Sequence, residues 1–179
     1  MIFIISFSTL LIGLYGFMML TFWMGWRKAS AKPLETDNPN RFVSTVIPFR
    51  NEESNLENLF ECLSSQHYPK DQFEIILIND HSEDGSVGLI EAFKANSSMD
   101  IVLLNSPEKG KKSALEVGIK QAKGEIIIQT DADCQMPEGW LQSMVASFKS
   151  KSGLVLGPVN MIPSEGFWSQ FAALDFMSL

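Results

Sequence analysis

The sequence predicts an α/β domain, a mostly parallel sheet flanked by helices, preceded by one N-terminal transmembrane helix. Three observations carry this reading. No residue from Ile2 to Trp26 is charged. From Phe42 onward, apolar runs of strand length alternate with segments of helical spacing. The strand runs are continuous rather than alternating, as expected of strands covered by helices on both faces.

The first run comes to more than the roughly 30 Å hydrocarbon core at about 1.5 Å per residue. A cleaved signal peptide competes, because Ala29-Ser30-Ala31 resembles a cleavage site. However, no basic residue precedes the run, which is also too long for a signal core. Arg27 and Lys28 follow it directly, favouring a retained anchor with those residues on the cytoplasmic side. The expected organisation is an anchor over 1–26, a linker over 27–41 containing Pro33, Asn38, Pro39 and Asn40, and a domain over 42–179. This makes it a single-pass protein of the inner membrane, with its domain facing the cytoplasm.

Within the domain, "FVSTVIP" (42–48) is short and β-branched, a strand. Leu56, Leu59, Phe60 and Leu63 share one helical face. "FEIILI" (73–78) is the second strand; Val87, Ile90 and Phe93 mark the next helix, and "IVLL" (101–104) the third strand. Leu115, Ile119 and Ala122 predict a helix that Gly124 ends. "EIIIQT" (125–130) is the fourth strand. Pro137 opens a helix with Trp140, Leu141, Met144, Val145 and Phe148 on its face. "GLVLGPV" (153–159) predicts a fifth strand, and Phe167, Trp168, Phe171 and Leu174 a closing helix.

Composition narrows the partners. A net charge of −7 with no basic stripe argues against nucleic acid. Two cysteines, Cys62 and Cys134, are too few for a disulfide framework. The sequon at Asn96-Ser97-Ser98 has no consequence in a domain that never enters a secretory lumen.

In a sheet of this kind, ligands collect beyond the carboxyl ends of the strands. Polar clusters stand at three of them: "PFRNEE" (48–53), "NDHSEDG" (79–85) and "TDADC" (130–134). If the backbone stays extended, Asp131 and Asp133 project to one side and Ala132 to the other. Two such carboxylates suit a hard cation, Mg2+ or Mn2+, which commonly keeps one or two protein carboxylates and completes its shell with phosphates and water. They equally suit a solvated loop. Asp80 reads either as a ligand for a base or ribose or as a helix cap, with Asp84 and Ser86 the better caps. "KGKKSAL" (109–115) places lysines and amides at a helix start, where phosphate is favoured. It is not a P-loop, because Asn105 and Lys112 stand where glycine and a hydroxyl residue are needed. "PFRNEE" has no glycine for a dinucleotide turn. His67 and His81 show no metal-ligand spacing, and nothing marks Cys134 as a nucleophile.

Taken in order, "VIPFRNEESNL", "YPKDQFEIILINDHSEDGS", "GKKSAL", "AKGEIIIQTDADCQMPEGWL" and "GPV" resemble the family 2 glycosyltransferases over about Val43 to Val159. That resemblance implies the GT-A fold and inverting transfer of a sugar from a nucleotide-sugar donor, a UDP-sugar by expectation, to a glycan or lipid-linked acceptor. It implies that Pro48, Arg50 and Glu52 line the nucleoside pocket, Asp80 contacts the base and Lys111 lies near the nucleotide. Asp131 and Asp133 match the D-x-D pair, the second usually the direct ligand of the metal that bridges the diphosphate. Asn79 and His81 depart from the family pattern, which often has aspartate and glycine there. The resemblance also implies a general base in a later acidic motif. Glu165 and Asp175 lack that context, so the base is expected beyond Leu179 and this chain is expected to hold the donor-binding part. Two other readings compete: a sugar nucleotidyltransferase, which would carry a glycine-rich loop after the first strand, and a silent membrane-tethered binding module.

Overall fold

The computed structural model describes residues 2–30, 41–149, 152–162, 166 and 168–170. The chain divides into two compact units, one over Glu35–Val155 and one formed by Met1–Leu34 with Leu156–Leu179. In the second of these, helix α1 (Ile2–Ser30) continues past Trp26 through the basic pair. Its stretch Ile5–Gly25 has a mean hydropathy of 1.7 and is long and apolar enough to cross a membrane. The Arg27 guanidinium sits 5.0 Å from the Trp23 ring centroid, a cation–π pair of the kind that suits the edge of a bilayer.

The Glu35–Val155 unit is built on four parallel strands: β1 (Val43–Phe49), β2 (Phe73–Asn79), β3 (Asp100–Asn105) and β4 (Ile126–Gln129), in the order β3-β2-β1-β4. Strands β1 and β2 lie inside the sheet and are buried almost throughout, which is why they read as unbroken apolar runs. Edge strand β4 alternates between buried and exposed. Helices α2 (Leu56–Ser64), α3 (Ser86–Asn96) and α5 (Trp140–Ser147) cover one face with Leu56, Leu59, Leu63, Ile90, Leu141 and Val145. Phe60 stacks on Phe93 at 3.9 Å, joining α2 to α3. Helix α4 (Lys111–Gln121) covers the other face, over Val46, Ile76 and Ile78.

Four expectations change. Residues 153–159 form no strand: Leu154 and Leu156 are 75% and 83% exposed, and no ladder partner meets them among the described residues. An apolar run without a neighbour to hydrogen-bond stays irregular. Helix α4 fully buries Ala114 and Gly118, packs Leu115 and Ala122 partly buried beside them and leaves Ile119 exposed, because it lies so close to the sheet that a Cβ on Gly118 would come within 2.6 Å of Val46 Cγ1. Pro137 opens the turn before α5, accepting a hydrogen bond from Trp140 N at 2.9 Å, rather than the helix itself. Gly124 lies beyond the end of α4 and serves a different purpose: an added Cβ would meet Ser44 N at 2.4 Å. Of the linker expected over 27–41, residues 27–30 belong to α1, while 31–40, with Phe167, Phe171 and Leu174 of the closing helix, lie outside the described residues.

A buried carboxylate pins the end of the sheet remote from the polar loops. Glu74 is fully buried and accepts hydrogen bonds from Ser44 Oγ at 2.6 Å and Lys123 N at 2.8 Å, with Lys123 Nζ 3.2 Å from its second oxygen. Burial pushes its pKa up, but the Ser44 hydroxyl and the Lys123 amide and ammonium outweigh that and hold it below the ordinary carboxylate value. A depressed pKa contributes stability at pH above the unfolded value, about 4.3, that is lost as pH falls through the folded one. Glu74→Gln is therefore expected to flatten the acid limb of the urea midpoint against pH below about pH 4.3. An acid limb as steep as the wild type's would remove Glu74 from this role.

Candidate functional site

The strand order reverses between β1 and β4, the point at the carboxyl edge where ligands of such sheets collect. The β1–β4 ladder ends at the Val46–Gln129 pair, and Thr130 N donates to Val46 O at 3.3 Å, so the chain leaves β4 beside Pro48. On the other side of β1 the ladder runs to Phe49–Asn79, and Asp80 N donates to Phe49 O at 2.9 Å. These registers bring three loops to one place. A cleft of about 210 Å³ is bordered by Pro48, Arg50, Glu52, Asp80, Lys111, Asp131 and Asp133, together with Phe49 and Ala132.

The loop after β4 turns instead of running on extended, with Cys134 N donating to Asp131 O at 3.3 Å. Ala132 is buried in the core, and the flanking aspartates are left on the cleft side. Met136 also enters the core, and Gln66 clamps the segment leading into α5, donating to Pro137 O at 2.9 Å and accepting from Leu141 N at 3.0 Å. Nothing in the sequence marks Gln66, since a polar residue just past a helix reads as solvated.

The loops after β1 and β2 interlock. Asn51, at φ 56°, accepts from Glu83 N at 2.8 Å, while its own N–H donates to Ser82 Oγ at 3.1 Å. Glu53 N donates to Asp84 Oδ2 at 3.1 Å, and Glu53 Oε2 accepts from Gly85 N at 2.8 Å. Asp84 also takes the Ser86 amide and hydroxyl at 3.1 and 2.6 Å. The Ser86 hydroxyl, supported by backbone amides, holds the Asp84 carboxyl below its usual range. Glu52 is fixed by Asn55 Nδ2 at 2.6 Å, whereas Arg50 is exposed.

Asp80 is nearly buried and does not stand free. Both its oxygens accept from Gly110 N, at 2.8 and 3.0 Å, and His81 Nδ1 lies 3.3 Å away. It therefore shapes the loop that leads into α4. The two departures from the family pattern have physical explanations here. Asn79 accepts from Ser82 N at 2.8 Å and donates to Asn105 Oδ1 at 3.0 Å, the second of which an aspartate could not do. His81 holds φ 61°, a left-handed position that glycine adopts freely and histidine less so.

Two cationic side chains, Arg50 and Lys111, face four carboxylates across this cleft. Lys111 Nζ donates to Asp131 at 2.6 and 2.9 Å, and among the described residues nothing engages the Asp133 carboxylate, which is exposed. No group of three or more His, Cys, Asp or Glu able to hold a metal occurs among the described residues. The donor set therefore fits a hard cation that takes two protein carboxylates and completes its shell with phosphate and water, and does not fit a closed protein cage.

Compared with known proteins, residues 44–174 match the family model described as glycosyl transferase family 2. A glycosyltransferase of Synechocystis sp. is 37% identical over 136 residues, 75% of this chain and 42% of that protein. The undecaprenyl-phosphate 4-deoxy-4-formamido-L-arabinose transferase of Pseudomonas fluorescens is 35% identical over 115 residues, 60% of this chain and 32% of the other. Among solved structures, a mannosyltransferase from Pyrobaculum calidifontis in complex with GDP-Man and Mn2+ is similar at a TM-score of 0.62 and 27% identity, over 74% of this chain and 40% of that one. The chain spans 30–42% of the length of the first curated relatives it matches.

Proposed function

The chain belongs to glycosyl transferase family 2, and from that premise we propose that its cleft binds the diphosphate of a nucleotide sugar through a divalent ion at Asp131 and Asp133. The whole protein would transfer the sugar, with inversion, to a lipid-linked or glycan acceptor. One observation supports this above the others: a cleft with two cations against four carboxylates repels a diphosphate unless a further cation enters. Mg2+ and Mn2+ both suit the oxygen donors, and the P. calidifontis neighbour carries Mn2+. When bound, the metal neutralises charge that develops on the departing nucleoside diphosphate.

The chain's own residues would supply binding and orientation. Pro48, Arg50 and Glu52 would border the nucleoside, held in shape by the interlocked loops after β1 and β2. Asp80 would meet the base from beside the Gly110 turn that it already fixes. Lys111, at the start of α4, would meet a phosphate where amide groups and the helix dipole also favour an anion. The general base is not assigned to any described residue; Glu165 and Asp175 lie outside them. The stretch Ile5–Gly25 would anchor the chain in the inner membrane, with Arg27 and Lys28 keeping the domain on the cytoplasmic side. A lipid-linked acceptor fits such an anchor, and the P. fluorescens relative is named for transfer to undecaprenyl phosphate.

Calorimetric titration of the full chain in detergent with UDP and with GDP, each with and without Mn2+, tests the proposal. Binding of one nucleotide that requires the metal is expected, with UDP the favoured base. Binding that ignores Mn2+ would overturn the metal role, and binding of neither nucleotide would favour a silent tethered module.

A further inference from the structure

Asp131 already has a cation. Lys111 Nζ lies 2.6 and 2.9 Å from its two oxygens, so a single ammonium engages both of them. Asp133, two residues on, has no such partner among the described residues, although both carboxylates border the same space. We infer that Lys111 is a resident counter-ion that must leave Asp131 before a divalent ion can use it, and that an arriving diphosphate is what draws it away. This rests on the proposed function of the cleft and adds to it an order of events: nucleotide and metal bind as a coupled pair, each weak alone.

The exchange is physically inexpensive. The two side chains are 55% and 47% exposed, and an ion pair that open to water is weak. Lysine carries its charge on a flexible four-carbon stem with three rotatable donors, so it can change partner without moving α4. Phosphate oxygens at the start of α4 would meet the same ammonium beside amide groups that already favour an anion. A divalent ion arriving by itself would meet both the occupied carboxylate and the repulsion of a neighbouring positive charge.

This arrangement gives Lys111 two effects of opposite sign, which substitution separates. Lys111→Met in the full chain should bind Mn2+ alone about two- to fivefold more tightly than wild type, the strength of an exposed ion pair. The same variant should bind UDP in saturating Mn2+ about tenfold more weakly, having lost a charge-assisted phosphate contact. Lys111→Arg keeps the charge and should resemble wild type in Mn2+ affinity, which a general disturbance of the α4 start would not allow. The factor by which UDP tightens Mn2+ must equal that by which Mn2+ tightens UDP, and it should shrink in Lys111→Met.

Calorimetry of Mn2+ and of UDP, each alone and each with the other saturating, on these three proteins and on Asp133→Ala reads all the quantities. Tighter Mn2+ binding by Lys111→Met supports the exchange, including the case where only the variant shows measurable binding. Equal or weaker Mn2+ binding by Lys111→Met, or none in any of the three proteins, overturns it. Wild-type Mn2+ affinity in Asp133→Ala would instead remove the metal from these carboxylates, and so refute the functional reading itself.

Discussion

Asp133→Ala is expected to lower affinity for the nucleotide in Mn2+ by about a hundredfold or more, while leaving the fold in place. Among the described residues a hard cation here has at most two protein carboxylates, and one of them, Asp131, is shared with Lys111. Disturbing residues that merely support metal ligands already costs about 10–100-fold in affinity or activity, so removal of a direct ligand should cost at least as much. Asp133 is exposed and engages no described partner, so the urea midpoint should correspond to within about 0.5 kcal/mol of wild type. The combination is diagnostic. Undiminished Mn2+-dependent binding in a folded Asp133→Ala variant would contradict the assignment of that carboxylate.

The second large effect is on stability. Gly124→Ala places a Cβ 2.4 Å from Ser44 N and 2.8 Å from Ser44 Oγ and Val43 C, all at the start of β1. Main chain inside a sheet cannot swing aside as a side-chain tip can, so β4 must lift off β1. That motion also strains Gly124 N to Ser44 Oγ, at 2.8 Å, the hydrogen bond that ties this corner to Glu74. A cost of about 3 kcal/mol is expected, at the upper end for overpacking. Because β4 delivers Asp131 and Asp133 to the cleft, the same substitution should weaken Mn2+-dependent nucleotide binding. Urea denaturation of wild type and variant measures the first effect, and a midpoint unchanged by the alanine would mean the close approach is relaxed in solution.

How far the sequence can be read depends on the kind of force that fixes each feature. Strands β1 and β2 are readable because burial on both faces demands unbroken apolar residues such as Ile75 to Ile78. The carboxyl-edge placement of Arg50, Asp80 and Asp131 comes from the parallel order. The covered face of α4 is only partly readable: hydrophobicity points to Leu115, which does pack there, and to Ile119, which is 47% exposed, while close approach buries Ala114 and Gly118 most fully. The run at 153–159 misleads for the opposite reason, since strand propensity is local and a ladder partner is not. Ile127 belongs to an apolar run that reads as buried, yet it is 43% exposed, because on that side of edge strand β4 none of the described helices lies over it.

The cleft shows the same division. Its residue types are evident in the sequence, but their pairings are not. Asp80 reads as a ligand or a helix cap, and nothing in the sequence tells that it also fixes the Gly110 amide across thirty positions. Lys111 is expected near the nucleotide and is found on Asp131, a contact between the start of α4 and the loop after β4 that no local pattern encodes. The substitutions at Asn79 and His81 make sense only once Asn105 and the left-handed turn are seen beside them.

The most direct test is diffraction at the manganese edge from crystals of the full chain grown with UDP and Mn2+. One anomalous peak is predicted between the carboxylates of Asp131 and Asp133 and the diphosphate, with Lys111 turned onto a phosphate oxygen. A diphosphate bound elsewhere, or a cleft with no anomalous peak and the Lys111–Asp131 pair intact, would contradict the metal-clamp reading.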